Sequence, residues 1–489
     1  LGALFMPARV YRGDANAARM ATTQLILNGS LGIPYHQPEG VPAAFLRHRG
    51  QYFFENDAQQ RYYSKYGVLQ SLLYLPAMWT AFLDRGEQRI GKRPREVVFW
   101  LNINNIAVSL VIAVYLLLLA GRFTRRPLVA LCFVLCCFYG SFVWYYLRAQ
   151  STEIFQLWFF LGMGYHLFRW ADGDGGRRRR WGHLGACALY AGLLTLTKPY
   201  YGLVFPLAWL ALQLSRKDGF HPGRTIREAL LLGGPAALAA GLVLLQNRLT
   251  FGAYFDFGYF QAEGGGGFKG NRFSGDLIPS GLYQLLILPN RSAFVYFPWL
   301  IPAAFGLRRC FRSHRLELLF GSLCFVTFLL FVSAQQEPHG GWCLGPRYLL
   351  FVLPLLGLMA LPALDRIVEN RQQVGGAVAL CLLATVVVAQ VWLNIRINRL
   401  EFHADWHVRT FLERLRIEEV QPYFDRRHAG MVFGDLAAFR RRTAPFPPFE
   451  LAKRVRPDLT ALIDARAKRY LSHWILQRNY YWFRHRNGR

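Results

Sequence analysis

The sequence contains neither CxxC nor HExxH, and its cysteines form no disulfide framework, so neither a structural zinc site nor a disulfide-stapled fold organises it. Of eight cysteines, Cys132, Cys136, Cys137, Cys187, Cys324 and Cys381 lie in apolar stretches and Cys310 at the end of one, where they act as small hydrophobes. Only Cys343 falls in a polar loop. Acids are also scarce: 29 Asp and Glu stand against 57 Lys and Arg, a formal net charge of +28. There is no internal repeat, and no alternation of polar and apolar residues of the kind a β-barrel needs. The chain opens at Leu1 without a Met. Its stub, Leu1–Ala8, reads as the end of a first transmembrane helix rather than a signal peptide.

What is abundant is apolar. Hydrophobic residues make up 53% of the 489 and aromatics 16%. Apolar runs of about 17 to 24 residues recur, long enough to cross a bilayer as helices. Backbone in lipid must satisfy its own hydrogen bonds, which favours an all-α polytopic membrane protein. The expected spans, about ten, lie at 97–120, 127–147, 153–170, 182–197, 199–214, 228–248, 293–311, 316–334, 348–364 and 376–394. Residues 1–96 then comprise the stub and an outer loop with juxtamembrane helices, 97–394 the bundle, and 395–489 an extramembrane or interfacial tail. For 400–450, a small soluble subdomain is the rival reading.

Five basic clusters punctuate the spans: Arg122–Arg126, Arg177–Arg180, Arg216–Arg227, Arg308–Arg315 and Arg366–Arg371. Cytoplasmic loops retain Lys and Arg, so these segments are expected inside. Dispersed in this way, the charge reads as topology and attraction to membrane lipids, not as a nucleic-acid footprint. The same parity makes 68–83 a helix on the membrane surface, at the cost of leaving the basic 85–95 outside. The outward loops then hold the polar residues of interest.

Asp14, in Arg12-Gly13-Asp14-Ala15, is placed either to take a proton from an acceptor hydroxyl or to cap a helix. Glu153 and Arg148 sit at the outer border of a span, where an ionisable group is a site candidate, though an acid also suits a helix N-terminus. Lys65 and Tyr66, in Tyr62-Tyr63-Ser64-Lys65-Tyr66-Gly67, fit a lipid phosphate or simple snorkelling. Arg347, in Gly345-Pro346-Arg347-Tyr348, is the stronger phosphate candidate because guanidinium matches two oxygens at once. The outer loop 249–292, with Gly264–Gly267, reads as a mobile cover or as a linker.

Four stretches together resemble the polyprenyl-phosphate-dependent GT-C glycosyltransferases, relatives of the protein O-mannosyltransferases and the lipid A aminoarabinose transferase. They are Gly13-Asp14 with Ser64–Leu73, Trp144–Glu153, Leu288–Pro298 and Gly341–Leu350, so the resemblance covers about residues 10–365. It implies a GT-C-like bundle with a small C-terminal extension, and a sugar transferred from a polyprenyl-phosphate donor to a glycan, lipid or protein acceptor. Asp14 would hold the first-loop catalytic position and Glu153 the second-loop one. Lys65 and Arg347 would bind the donor phosphate, and Tyr66, Arg148 and Tyr348 complete the substrate-binding set. Relatives often carry an acidic pair where this chain has Asp14-Ala15, so no cofactor is required and the spacing does not support a divalent cation. The implied location is the bacterial inner membrane, with the site facing the periplasm. The rival is a transporter or flippase of an anionic lipid-linked saccharide, which would show internal pseudo-symmetry.

Overall fold

A computed structural model describes residues 14–35, 53–64, 67–85, 94–149, 151–173, 176–216, 221–255, 273–288, 291–335, 338, 345–399 and 456–462. The chain is a mostly helical, multi-pass membrane protein. Helix α1 (Asp14–Asn28) begins at the aspartate, as helix starts favour. An antiparallel sheet follows in the order β1 (Ile33–Pro34), β3 (Arg61–Ser64), β2 (Phe53–Asn56). This sheet is an addition to the expected helices. Its strands run two to four residues, too short for an alternating pattern to register in the sequence. Ile33, Phe53 and Tyr62 bury against Ala17 and Met20 of α1.

The β2–β3 turn reaches the bundle. Asn56 Nδ2 and Gln59 Nε2 donate to the carbonyls of Thr250 and Leu249, at 2.8 and 3.0 Å. These carbonyls end the helix Pro222–Phe251, where intrahelical partners run out. Helix α2 (Val68–Arg85) lies alongside α1: Ser71 Oγ donates to the Ala18 carbonyl at 3.3 Å, and Thr22 Oγ1 to the Ser71 carbonyl at 2.9 Å. Its apolar part, Val68–Leu83, is shorter than a span.

The bundle comprises α3 (Pro94–Phe123), α4 (Pro127–Tyr139), α5 (Val143–Ala149), α6 (Thr152–Asp172), α7 (Arg177–Thr197), α8 (Val204–Ser215) and α9 (Pro222–Phe251). After these come α10 (Ile278–Leu282), α11 (Ala293–Tyr296), α12 (Leu300–Ser313), α13 (Arg315–Ser333), α14 (Leu353–Gly357), α15 (Leu361–Glu369) and α16 (Val374–Arg399). Helical segments stand at all ten expected span positions. By length and apolarity only four qualify among the described residues: Val97–Phe123, Pro222–Phe251, Arg315–Ser333 and Val374–Trp392. The pair α4 and α5, bent by 58°, makes a fifth if taken as one span. The count of about ten is not reached on that criterion. Residues 347–369 are divided among short helical pieces that contain Pro354 and Pro362, and prolines interrupt helical hydrogen bonding. Helix α7 opens with four arginines.

Helix α6 is central because its sequence is apolar nearly all round. Phe155, Phe159, Phe160, Leu161, Met163, Leu167 and Phe168 are buried on it. An aromatic column crosses the bundle beside it. Tyr201 stacks on Phe328 at 5.3 Å and meets Phe351 at 4.9 Å, Phe351 meets Phe160 at 4.8 Å, and Phe160 stacks on Phe320 at 5.2 Å. At the far end of α6, Arg122 binds Asp172 at 2.5 Å and Glu317 at 2.6 Å. Thr124 Oγ1 donates to Asp365 at 2.7 Å, and Arg126 pairs with Glu369 at 3.2 Å. The first basic cluster therefore meets acids in or beside the stretches that carry three of the others, Asp172, Glu317, and Asp365 with Glu369, at one end of the bundle.

By contacts the chain divides into two units, Leu1–Ile287 with Arg291–Val391, and Leu288–Asn290 with Trp392–Arg489. All features above belong to the first, apart from the last turns of α16. The second includes a turn at Pro457–Leu459, where Arg456 pairs with Asp458 at 2.7 Å.

Replacing Arg122 with Gln leaves Glu317, whose side chain is 4% exposed, with His314 at 3.8 Å in place of its guanidinium. The expected cost is about 3–5 kcal/mol, the range for breaking a buried pair by removing one partner. Thermal unfolding in detergent measures it; an unchanged Tm would mean the network contributes nothing.

Candidate active site

Glu153 is the second residue of α6, where the helix dipole favours an acid. It is only 1% exposed, so water cannot supply its counter-charge. A carboxylate that deep needs cations held close. Two arrive from distant segments. Arg347 Nε donates to Glu153 Oε1 at 2.6 Å, and Lys198 Nζ lies 3.6 Å from the same oxygen. Both cations also face the Tyr348 ring, at 5.0 Å for Lys198 and 5.6 Å for Arg347, within cation–π range.

Each cation is placed by its local backbone. Helix α7 stops at Thr197, Lys198 is extended at φ −156° and ψ 129°, and Pro199 opens a 3-10 turn. A residue before proline is pushed out of the helical region, which swings Lys198 away from the α7 path. Arg347 follows Gly345, which sits at φ +62° in the left-handed region. A Cβ at Gly345 would meet the rings of Tyr296 at 2.9 Å and Phe142 at 3.1 Å, so both backbone angle and space require glycine there.

Neighbouring polar groups fix the rest. Thr152 Oγ1 donates to Gln70 Oε1 of α2, and Gln70 Nε2 donates to Tyr74 at 3.0 Å. One turn along α6, Gln156 Oε1 accepts from the Tyr201 hydroxyl at 2.8 Å. Tyr201 is in turn hydrogen-bonded to Tyr200. Gly67, just before α2, packs so closely that a Cβ would stand 2.9 Å from the Leu196 carbonyl. The exit of the first loop thus meets the end of α7 two residues from Lys198.

Of the expected site residues, the structure brings Glu153, Arg347 and Tyr348 together. Arg148 lies half-buried in the last turn of α5. Asp14 is the first residue of α1, and its side chain lies outside the described residues, as do Lys65 and Tyr66 altogether. On α1, burial pushes the Arg19 guanidinium down to about 10, still charged at neutral pH. Among the described residues no group of three His, Cys, Asp or Glu is arranged to hold a metal ion. Sequence reasoning missed Lys198 as a site residue. Thr197-Lys198-Pro199 reads as a turn, yet a lysine between two apolar runs was the available signal. Gln70, Gln156 and the Tyr200–Tyr201 pair carried no signal beyond polarity inside apolar sequence.

No protein-family model matches the chain, and no curated protein does. Among solved structures, the fold is similar to that of ArnT from Cupriavidus metallidurans in the apo state. The TM-score is 0.48 and the identity 16%, over 97% of this chain and 74% of that one. ArnT bound to undecaprenyl phosphate gives 0.47 and 15%, over 84% and 70%. The Archaeoglobus fulgidus oligosaccharyltransferase in the apo form gives 0.49 and 11%, over 79% and 52%, so this chain spans about half the length of that protein. At such scores and identities the likeness is one of helical architecture, and activity is read from the site residues alone.

The Glu153–Arg347 pair is expected to be energetically coupled. A double-mutant cycle with Glu153→Gln and Arg347→Gln, read by unfolding in detergent, should give about 1–3 kcal/mol of interaction energy. Additive effects would mean the two side chains act independently.

Proposed function

We propose that this chain is an inverting glycosyltransferase that moves a sugar from a polyprenyl-phosphate-linked donor to an acceptor hydroxyl. One observation carries the reading. Two of the motifs that resemble GT-C transferases, 194 residues apart, meet as the buried Glu153–Arg347 pair, with Lys198 beside them. That cluster sits at the N-terminal end of α6, whereas Arg122 and Arg126 gather near its C-terminal end. The two ends are 19 residues apart, about 28 Å at the helical rise, close to the thickness of a bilayer's hydrocarbon core. Positive charge marks the cytoplasmic face, so the candidate site faces the periplasm across a bacterial inner membrane.

In this mechanism Asp14 takes the proton of the acceptor hydroxyl. The oxygen attacks the anomeric carbon from the face opposite the phosphate, the bond from that carbon to the phosphate oxygen breaks, and configuration inverts. The bond's electrons leave with the polyprenyl phosphate. Arg347, Lys198 and Lys65 receive its growing charge, which fixed cations stabilise without reorganising. Tyr66 and Tyr348 flank the phosphate, and Arg148 contacts substrate. Glu153 holds the two cations in register and orients the sugar or acceptor. These steps require no divalent cation, which the single carboxylate at Asp14 would hold poorly. The acceptor is a glycan, lipid or protein hydroxyl.

The test is sugar transfer from a synthetic polyprenyl-phosphate donor in detergent. Asp14→Asn should slow transfer about 10²–10⁴-fold, the usual contribution of a general base, while donor binding persists. Lys198→Ala should raise the donor KM and lower kcat. Full turnover by the Asp14 variant would remove it as the base. Movement of intact lipid-linked sugar across vesicles without transfer would make the chain a transporter instead.

A further inference from the structure

Lysine has a long, flexible stem, so its ammonium has a defined place only if the backbone beneath it is fixed. At Lys198 that backbone is extended and followed by Pro199, so α7 no longer holds it. Tyr201 does. Its N–H donates to the Lys198 carbonyl at 3.0 Å, and its hydroxyl donates to Gln156 Oε1 at 2.8 Å. Gln156 lies three residues after Glu153, one turn along the same face of α6. That face therefore holds Lys198 at both ends, the ammonium through Glu153 and the backbone through Gln156 and Tyr201.

Packing does not account for these two polar groups. The Tyr201 ring stacks on Phe328 at 5.3 Å and meets Phe351 at 4.9 Å, contacts that a phenylalanine would make equally. Tyr201 and Gln156 are each 1% exposed, and burying a hydroxyl and an amide costs their hydration. Their mutual bond returns part of that cost. Gln156 Nε2, however, is shielded from solvent with no hydrogen-bond partner among the described residues, so the amide as a whole is a poor stabiliser. Its value is directional, because a hydrogen bond fixes an angle where stacked rings can slide. What it fixes is the register of the Pro199–Leu203 turn against α6, and that turn is bonded to Lys198.

We propose that Gln156 and Tyr201 are positioning residues that set the Lys198 ammonium for the phosphate of the lipid-linked donor. Neither touches substrate; both act through Lys198. This role rests on the transferase reading, which makes Lys198 a ligand of that phosphate.

Native mass spectrometry of the full chain in detergent tests it, comparing retention of undecaprenyl phosphate with that of undecaprenol. Wild type should retain the phosphate lipid at least about tenfold better. Tyr201→Phe and Gln156→Leu should each cut phosphate-lipid retention about three- to tenfold, the effect of one hydrogen bond, and leave undecaprenol retention unchanged. Combined, they should lose no more than either alone. Lys198→Gln, which leaves Arg347 in place, should weaken phosphate binding by itself, and adding Tyr201→Phe to it should change nothing further. A Tyr201→Phe loss that persists undiminished beside Lys198→Gln overturns the proposal, because the hydroxyl then acts other than through Lys198. So does wild-type retention by both single variants. An equal fall for the two lipids also overturns it, assigning the pair to packing. Wild type that does not distinguish the lipids defeats the donor-phosphate reading itself, and the positioning role falls with it. Unchanged unfolding temperatures confirm that the variants are folded; if Gln156→Leu unfolds, Tyr201→Phe, which keeps the ring, carries the test.

Discussion

Burying one carboxylate constrains much of this end of the molecule. Glu153 is almost wholly removed from water, and a charge in that position persists only with cations held against it. The demand is met by two segments that are otherwise unrelated in sequence, one ending α7 and one entering α14. Each carries a backbone device that serves the same purpose: Pro199 stops a helix so that Lys198 can turn, and Gly345 takes a left-handed angle so that Arg347 can reach. The tyrosines follow from the cations, since Tyr348 gives both an aromatic face.

Helix α6 carries that constraint across the bundle. Its first turn contains Glu153 and its last Asp172, each bound to a guanidinium from another helix. Between them most side chains are apolar, with Phe160 and Phe168 both against Phe320, and Gln156 and His166 are hydrogen-bonded to neighbouring helices. A rod with a charged anchor at either end and a largely apolar middle cannot slide along its axis without breaking one of the two ion pairs. The position of the candidate site is thereby tied to the opposite face.

Parts of this were legible in the sequence. The apolar runs located α3, α6, α9, α13 and α16, because unbroken hydrophobicity is a local signal. Glu153 and Arg347 were singled out as border residues and by their resemblance to transferase motifs. Their meeting was not readable from either stretch, since partners 194 residues apart leave no periodic trace. Lys198 was visible only as part of a turn, because the carboxylate that makes it interesting comes from another helix. The sheet escaped because its strands are shorter than the pattern that would reveal them. The broken course of 347–369 escaped because apolar composition does not distinguish one helix from several short ones. The roles of Asp14, Lys65 and Tyr66 rest on sequence alone.

The contact between the β2–β3 turn and the end of α9 has a mechanical consequence. Two side-chain amides, from Asn56 and Gln59, supply the donors that the final carbonyls of α9 would otherwise seek from solvent. The last turn of α9 is thereby tied to the hairpin as well as to the bundle. Two stretches of chain nearly 200 residues apart are thus joined, so the hairpin cannot part from the end of α9 without breaking both hydrogen bonds.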